Sequence, residues 1–295
     1  MAMTRLAPLL FLTGCVIDQN QWLRPRDLSP VWLVDRLRIL AVVAEPPEVE
    51  PGDLATFTAL VPGPADVPDQ VRIWLACPPV LGSETTFAAS CSLDPSALSD
   101  TATVPDGFIG LEPGLPPSWR VPDDALDGLA PEDEEEGAYA TIQVMSLPST
   151  AIEDLSADID FTEVETGTKR LVVSRAQTPN ANPWFDDFRV EGVSIPEGTT
   201  VEVDPNQPYE IEVVLPDAAI ETYLYVNSQG FTEERIEEPY VAWYADGGEI
   251  DEHFTLHPYL QSSWVSPASG SGSWWAVGRD RRGGMTWLER SWTVR

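Results

Sequence analysis

The chain has 295 residues, 17 of them Lys or Arg and 48 Asp or Glu, for a formal charge of −31. So acidic a balance leaves no basic surface to neutralise phosphates, which argues against a direct nucleic-acid binder. A hydrophobic content of 43% suffices for ordinary cores, and no apolar stretch reaches the roughly 18 residues of a membrane-spanning helix.

The chain opens MAMTRLAPLLFLTGC. Arg5 is a positive n-region, Leu6 to Leu12 an apolar h-region, and small residues precede Cys15, which is the grammar of a secretion signal. A short N-terminal strand or helix ending in a chance LTGC is the plainer alternative. Leu12-Thr13-Gly14-Cys15 resembles the lipobox of bacterial lipoproteins. That resemblance implies cleavage after residue 14, acylation of Cys15 and, since Val16 stands where many lipoproteins kept at the inner membrane carry Asp, an address at the outer membrane. Acyl chains contributing roughly 0.8 kcal/mol per buried CH₂ would anchor the mature chain there. Residues 15–35, with Pro25 and Pro30, read as an extended tether.

Alternation begins beyond Asp35. Leu37, Ile39, Ala41 and Val43 fall on one face of a predicted strand, which Pro46-Pro47 stops. Pro51-Gly52 is a turn, and Leu54 to Val61 alternates again in Thr, Phe and Ala, as the opening of a β-sandwich would. Val71 to Cys77 predicts a third strand, whose Trp74 sits where an immunoglobulin-like sandwich fills the space between its sheets, although any buried strand Trp would look alike. Residues 92–138 hold seven prolines and an acidic run, Glu132 to Glu136, and read as a long loop with one helical turn near Pro122. Further strands are expected at Tyr139 to Val144 and Lys169 to Ser174, with a short helix from Thr150 to about Ala157 on capping-box spacing.

Thr178-Pro179-Asn180-Ala181-Asn182-Pro183 reads as a linker between two domains, the number expected for this length. Strands then recur at Phe188 to Val193, Thr199 to Val203, Tyr209 to Leu215 and Tyr240 to Tyr244. A terminal hairpin joins Ser273–Arg279 to Met285–Val294 across Gly283-Gly284. The predicted class is all-β: two immunoglobulin-like or fibronectin-like sandwiches, at 36–177 and 184–295, behind a lipidated N-terminal tether. The lipobox, the LRILAVVAEPPEVEPGDLATFTALV opening, the TPNANP linker and the WVSPASGSGSWWAVGRDRRGGMTW ending together resemble the tandem immunoglobulin-like lipoproteins of myxobacteria and their relatives. This resemblance implies an envelope lipoprotein and brings no catalytic residues.

Cys77 and Cys91 remain as an even pair in an exported chain, and a disulfide between them would contribute about 3 kcal/mol. Two free thiols or a soft-metal pair are the alternatives. No GxSxG or Ser-x-x-Lys nucleophile pattern is present, so no enzymatic activity is expected. His253 and His257 would share a face on a helix and could then hold zinc. On a strand they sit about 13 Å apart, too far to share an ion. Solvated loop histidines are therefore expected. No cofactor is expected; calcium is the ion that Asp123-Asp124-Asp127, Glu132 to Glu136 or Asp186-Asp187 would suit, although such runs are ordinarily solvated faces.

Six of the eleven tryptophans fall between Trp243 and Trp292. Trp274 and Trp275 point to opposite faces of one strand, so one should face outward unless a bulge or the neighbouring domain covers it. With Trp287 they form a possible ligand face. The predicted function is a non-catalytic, membrane-anchored interaction or structural module whose partner is an envelope protein or glycan. The alternative is a glycan-binding module using the tryptophan face, and a metal-assisted hydrolase at the histidines is a distant third.

Overall fold

The computed structural model describes residues 29–64, 66–79, 107–131, 133–150, 164–226 and 231–295. Strands β1 (Ala41–Glu45), β2 (Glu48–Val49), β3 (Leu54–Leu60), β4 (Gln70–Cys77), β5 (Phe108–Glu112), β6 (Ser118–Arg120), β7 (Ala138–Pro148) and β8 (Glu165–Val173) form the first sandwich. One sheet has the order β1-β3-β6 and the other β2-β8-β7-β4-β5. Alternation explains the packing: in β3, Ala55 and Phe57 point into the core while Leu54, Thr56 and Thr58 point out. Pro46 and Pro47 lack the N–H that would continue the ladder, so β1 ends there and β2 joins the other sheet, parallel to β8. Trp74 lies between the sheets, fully buried and stacked on Phe57 at 6.3 Å. Its Nε1 donates to Glu112 Oε2 at 2.8 Å, which satisfies the one polar atom of the buried ring.

The second sandwich follows with β9 (Asp187–Val190), β10 (Val193–Ser194), β11 (Thr200–Val203), β12 (Pro208–Val214), β13 (Thr222–Val226), β14 (Thr232–Ile236), β15 (Tyr240–Ala245), β16 (Glu249–Ile250), β17 (Phe254–Leu256), β18 (Gln261–Val265), β19 (Ser271–Arg279) and β20 (Met285–Val294). Its sheets are β10-β9-β12-β18-β16 and β11-β20-β19-β15-β17, and β13-β14 stands apart as a two-stranded ribbon. The plan of the first sandwich recurs. A short strand runs parallel to the last one (β11 with β20, as β2 with β8), and a strand with a central Trp pairs with the penultimate one (β15 with β19, as β4 with β7). This shared plan defines both units as immunoglobulin-like sandwiches.

Four expectations change. The strand at β1 turns the opposite face to the core: Val42 and Ala44 enter the first sandwich, while Ala41 packs with Leu40 and Leu60 against Trp275 and Val277 of the second. Residues 92–138 are more than a loop, because β5 and β6 form there on the free edges that β4 and β3 offer. The end of the expected tether is built into the second sandwich. Val34 N–H donates to Ala245 O at 2.8 Å, Ala245 N–H donates to Trp32 O at 3.0 Å, and Val34 is 1% exposed. The linker is also tied down: Asn182 Nδ2 donates to Ala44 O at 2.7 Å and its Oδ1 accepts from Met285 N at 2.9 Å. The predicted helix after Thr150 falls largely at residues 151–163, outside the described residues.

Candidate interaction surface

Trp274 and Trp275 do point to opposite faces, and both faces are covered. Trp274 is fully buried in the second core, 4.8 Å from Trp264 and 6.0 Å from Phe188 between ring centroids. Trp275, 4% exposed, lies in the apolar layer between the sandwiches with Val34, Leu40, Leu60 and Val277, and half-buried Trp287 packs beside it. The exception stated for the sequence is the one realised: the neighbouring domain covers Trp275, and neither Trp274 nor Trp275 is open to a ligand. The Trp275 ring is the floor on which the first sandwich sits, and burying an indole there removes more apolar area from water than any single aliphatic contact would.

A polar junction closes one side of that layer. The β19–β20 turn presents Asp280, whose carboxylate accepts the backbone N–H groups of Arg282, Gly283 and Gly284 at 2.7 to 2.9 Å and Asn180 Nδ2 at 2.8 Å. Arg282 reaches Glu221 and Glu237 at 3.1 Å and Glu48 of the first sandwich at 3.8 Å, with its guanidinium 4.5 Å from the Tyr223 ring centroid. Burial raises the pKa of Glu237, with Arg282 acting in the opposite direction. From the first sandwich, buried Lys169 donates to the Gly283 carbonyl. Burial pushes its ammonium down to about 8, opposed by Asp280. This geometry locks two domains.

The remaining predicted site residues fall as follows. Cys15 and Cys91 lie outside the described residues; Cys77 is a buried side chain at the end of β4. His253 and His257 flank β17, so the strand reading holds, and the His253 ring rests 4.6 Å from that of Phe254. No group of three or more His, Cys, Asp or Glu is placed to hold a metal among the described residues. At one expected calcium position, Asp187 is already engaged by Arg189 Nε and Ser194 Oγ at 2.9 and 2.7 Å. A cavity of about 200 Å³ lies on the sheet of β4, β7 and β8, lined by Ile73, Leu75, Gln143, Met145, Thr166 and Thr168. None of these side chains titrates.

Exposed apolar side chains recur on both sandwiches, Leu54, Leu115, Tyr139 and Val193 among them, and the second sandwich adds those of edge strand β17 and of the ribbon. Phe254 and Leu256 project outward from edge strand β17, each more than half exposed, while Thr255 between them turns inward to accept from Trp243 Nε1. Tyr259, in the turn beyond, is 72% exposed. In the ribbon, Leu224, Phe231 and Ile236 are all exposed. Composition offered no warning of this, since the tryptophans of β15, β18 and β19 went inside and the apolar residues most exposed on β17 and the ribbon are Phe, Leu and Ile. The one available signal was the unread alternation Thr222-Tyr223-Leu224-Tyr225-Val226, rich in β-forming residues.

The strand order defines a tandem immunoglobulin-like protein. No protein-family model and no curated protein sequence matches the chain. Among solved structures it is similar to the N-terminal Ig1-2 module of the Drosophila receptor protein tyrosine phosphatase DLAR, at 10% identity over 88% of this chain and 99% of that one, with a TM-score of 0.27. It is also similar to the two tandem V-type regions of a v-region-containing chitin binding protein, at 12% identity over 87% and 100% of the two chains, TM-score 0.29. A third is SGBP-B of the Bacteroides ovatus mixed-linkage glucan utilization locus, solved with a mixed-linkage heptasaccharide, at 10% identity over 91% and 69%, TM-score 0.18. The immunoglobulin-like assignment rests on the strand order itself.

Proposed function

We propose that this chain is a non-catalytic, lipid-anchored module that holds another component of the bacterial cell envelope by surface contact. The observation that carries the reading is the pairing of a fixed two-sandwich body with an exposed apolar edge. The apolar layer and the Asp280–Arg282 junction hold the domains in one orientation, so Phe254, Leu256 and the ribbon are presented from a rigid support. The lipobox at Cys15 supports the anchor, the pair Cys77 and Cys91 an oxidising compartment, and the absence of Asp after Cys15 the outer membrane. The glycan-binding alternative is less well supported, because of its three tryptophans Trp274 and Trp275 are buried and Trp287 is half-buried.

Two measurements on cells making the full chain test this reading. Labelled palmitate should enter the wild-type chain and not the Cys15→Ala variant; equal labelling, or a chain found soluble, would remove the anchor. A photo-crosslinking residue in place of Phe254 should trap one defined envelope component, whereas the same residue at Glu202, exposed and away from β17, should not. Failure at both positions, or equal trapping at both, would remove the interaction module.

A further inference from the structure

The ribbon β13-β14 is built unlike the rest of the molecule. It pairs with neither sandwich sheet, and every residue of β14 is exposed. A two-stranded ribbon with solvent on both sides is marginally stable alone, so its base is fastened: Glu237 N–H donates to Glu221 O at 3.0 Å, Glu221 N–H donates to Glu237 Oε2 at 3.0 Å, and Arg282 bridges both carboxylates.

Its two faces differ. On one, Arg235 stands 3.7 Å over the Tyr225 ring and pairs with Glu233 at 3.2 Å, so aromatic and charged groups satisfy one another. On the other, register places Thr222 opposite Ile236 and Leu224 opposite Glu234. Leu224 is 68% exposed and Ile236 67%, with the Glu234 carboxylate between them. Each strand has one neighbour, so its outer edge carries backbone groups not used in a ladder. An anchored ribbon with open edges, an aliphatic face and a single carboxylate on it is the receiving half of a strand-addition site.

We infer that this face docks an extended segment of a partner protein that alternates aliphatic and basic side chains, adding as a third strand beside the ribbon. The charge balance selects that occupant. Residues 221–238 carry five Glu and one Arg, and the whole chain stands at −31, so a basic strand is attracted while a second copy of this chain is repelled and would set Glu234 against Glu234. The inference deepens the interaction-module reading and rests on it.

The test uses the full chain and a labelled peptide of alternating Lys and Val, with a Glu/Val peptide of equal length as its counterpart. Fluorescence anisotropy should show binding of the basic peptide alone, with slowed amide exchange in β13 and β14. Glu234→Lys, and separately Leu224→Ser with Ile236→Ser, should each weaken binding about tenfold. Because Glu234→Lys changes the total charge by only two, unspecific attraction to an acidic protein would scarcely respond to it. Equal binding of the two peptides, no binding, protection elsewhere, or indifference to both variants would overturn the inference. So would self-association abolished by Leu224→Ser, since the occupant would then be a second copy. If the ribbon variants lose peptide binding nowhere while the residue 254 crosslink persists, the ribbon inference falls and the module reading stands.

Discussion

Replacing Lys169 by Met asks how much the first sandwich gives up to bury an ammonium. Lys169 is 4% exposed and its pKa is pushed from 10.5 down to about 8. The shift is a difference of 2.5 units, and at 1.36 kcal/mol per unit it amounts to a cost of about 3 kcal/mol, fully present below pH 8. Between pH 8 and 10.5 the unfolded chain binds the proton that the folded one has released, so stability rises with pH across that window. The Met variant has no such group, and its free energy of unfolding lacks this rise. The wild type minus variant difference should therefore climb by about 2 to 3 kcal/mol from pH 7 to pH 10. At pH 7 the variant should be at least as stable as the wild type, because the lost hydrogen bond to Gly283 O is worth only about 1 to 2 kcal/mol. Urea unfolding followed by tryptophan fluorescence at a series of pH values reads both quantities. Tyrosine titration is common to the two proteins and cancels. A difference flat to within about 0.5 kcal/mol over this range would mean that Lys169 does not hold its amine out of water.

Three further outcomes are expected, two from the geometry and the third from the cysteine pair of the sequence. Trp275→Ala should cost about 3 kcal/mol or more, as a core indole does, and a urea midpoint matching a loss under about 1 kcal/mol would show that the interdomain layer is not packed around this ring. Gly248→Ala should destabilise markedly, because the residue sits at φ +80 and a Cβ would stand 2.4 Å from Val265 O; thermal unfolding that shifts by less than a degree or so would contradict the turn. Cys91→Ser should lower stability by about 3 kcal/mol under oxidising conditions and change nothing once the wild type is reduced. Equal stability of oxidised wild type and variant would dismiss a Cys77–Cys91 bond.

How far the fold could be read in advance depended on whether a strand has one buried face or two. β3, with one face on the core and one in water, shows its alternation plainly. β1 does not: Val42 and Ala44 face one core, Ala41 faces the interdomain layer, and a pattern with both sides apolar does not say which is which. Trp74 and Trp243 were legible because a central strand Trp in a sandwich has few other places to go. For Trp275 the sequence left two outcomes open, exposure or cover by the neighbouring domain, because the residues that cover it, Val34, Leu40 and Leu60, come from the far end of the chain. β5 and β6 went unread because short, proline-flanked strands form only when a neighbouring edge recruits them. The ribbon is the opposite case. Its local alternation was readable, but nothing in local sequence marks a strand pair as standing outside both sheets.

The bonds between Trp32, Val34 and Ala245 set a load path. Tension reaching this body along the chain from its N-terminal side meets the Ala245 end of β15 in the second sandwich before it can reach any strand of the first. Leu33 bridges Ala245 in parallel, so the pull falls on the two backbone bonds that flank this single bridge. The first sandwich hangs outside this line of force. The domain that bears the exposed ribbon is thus also the one that first takes the strain.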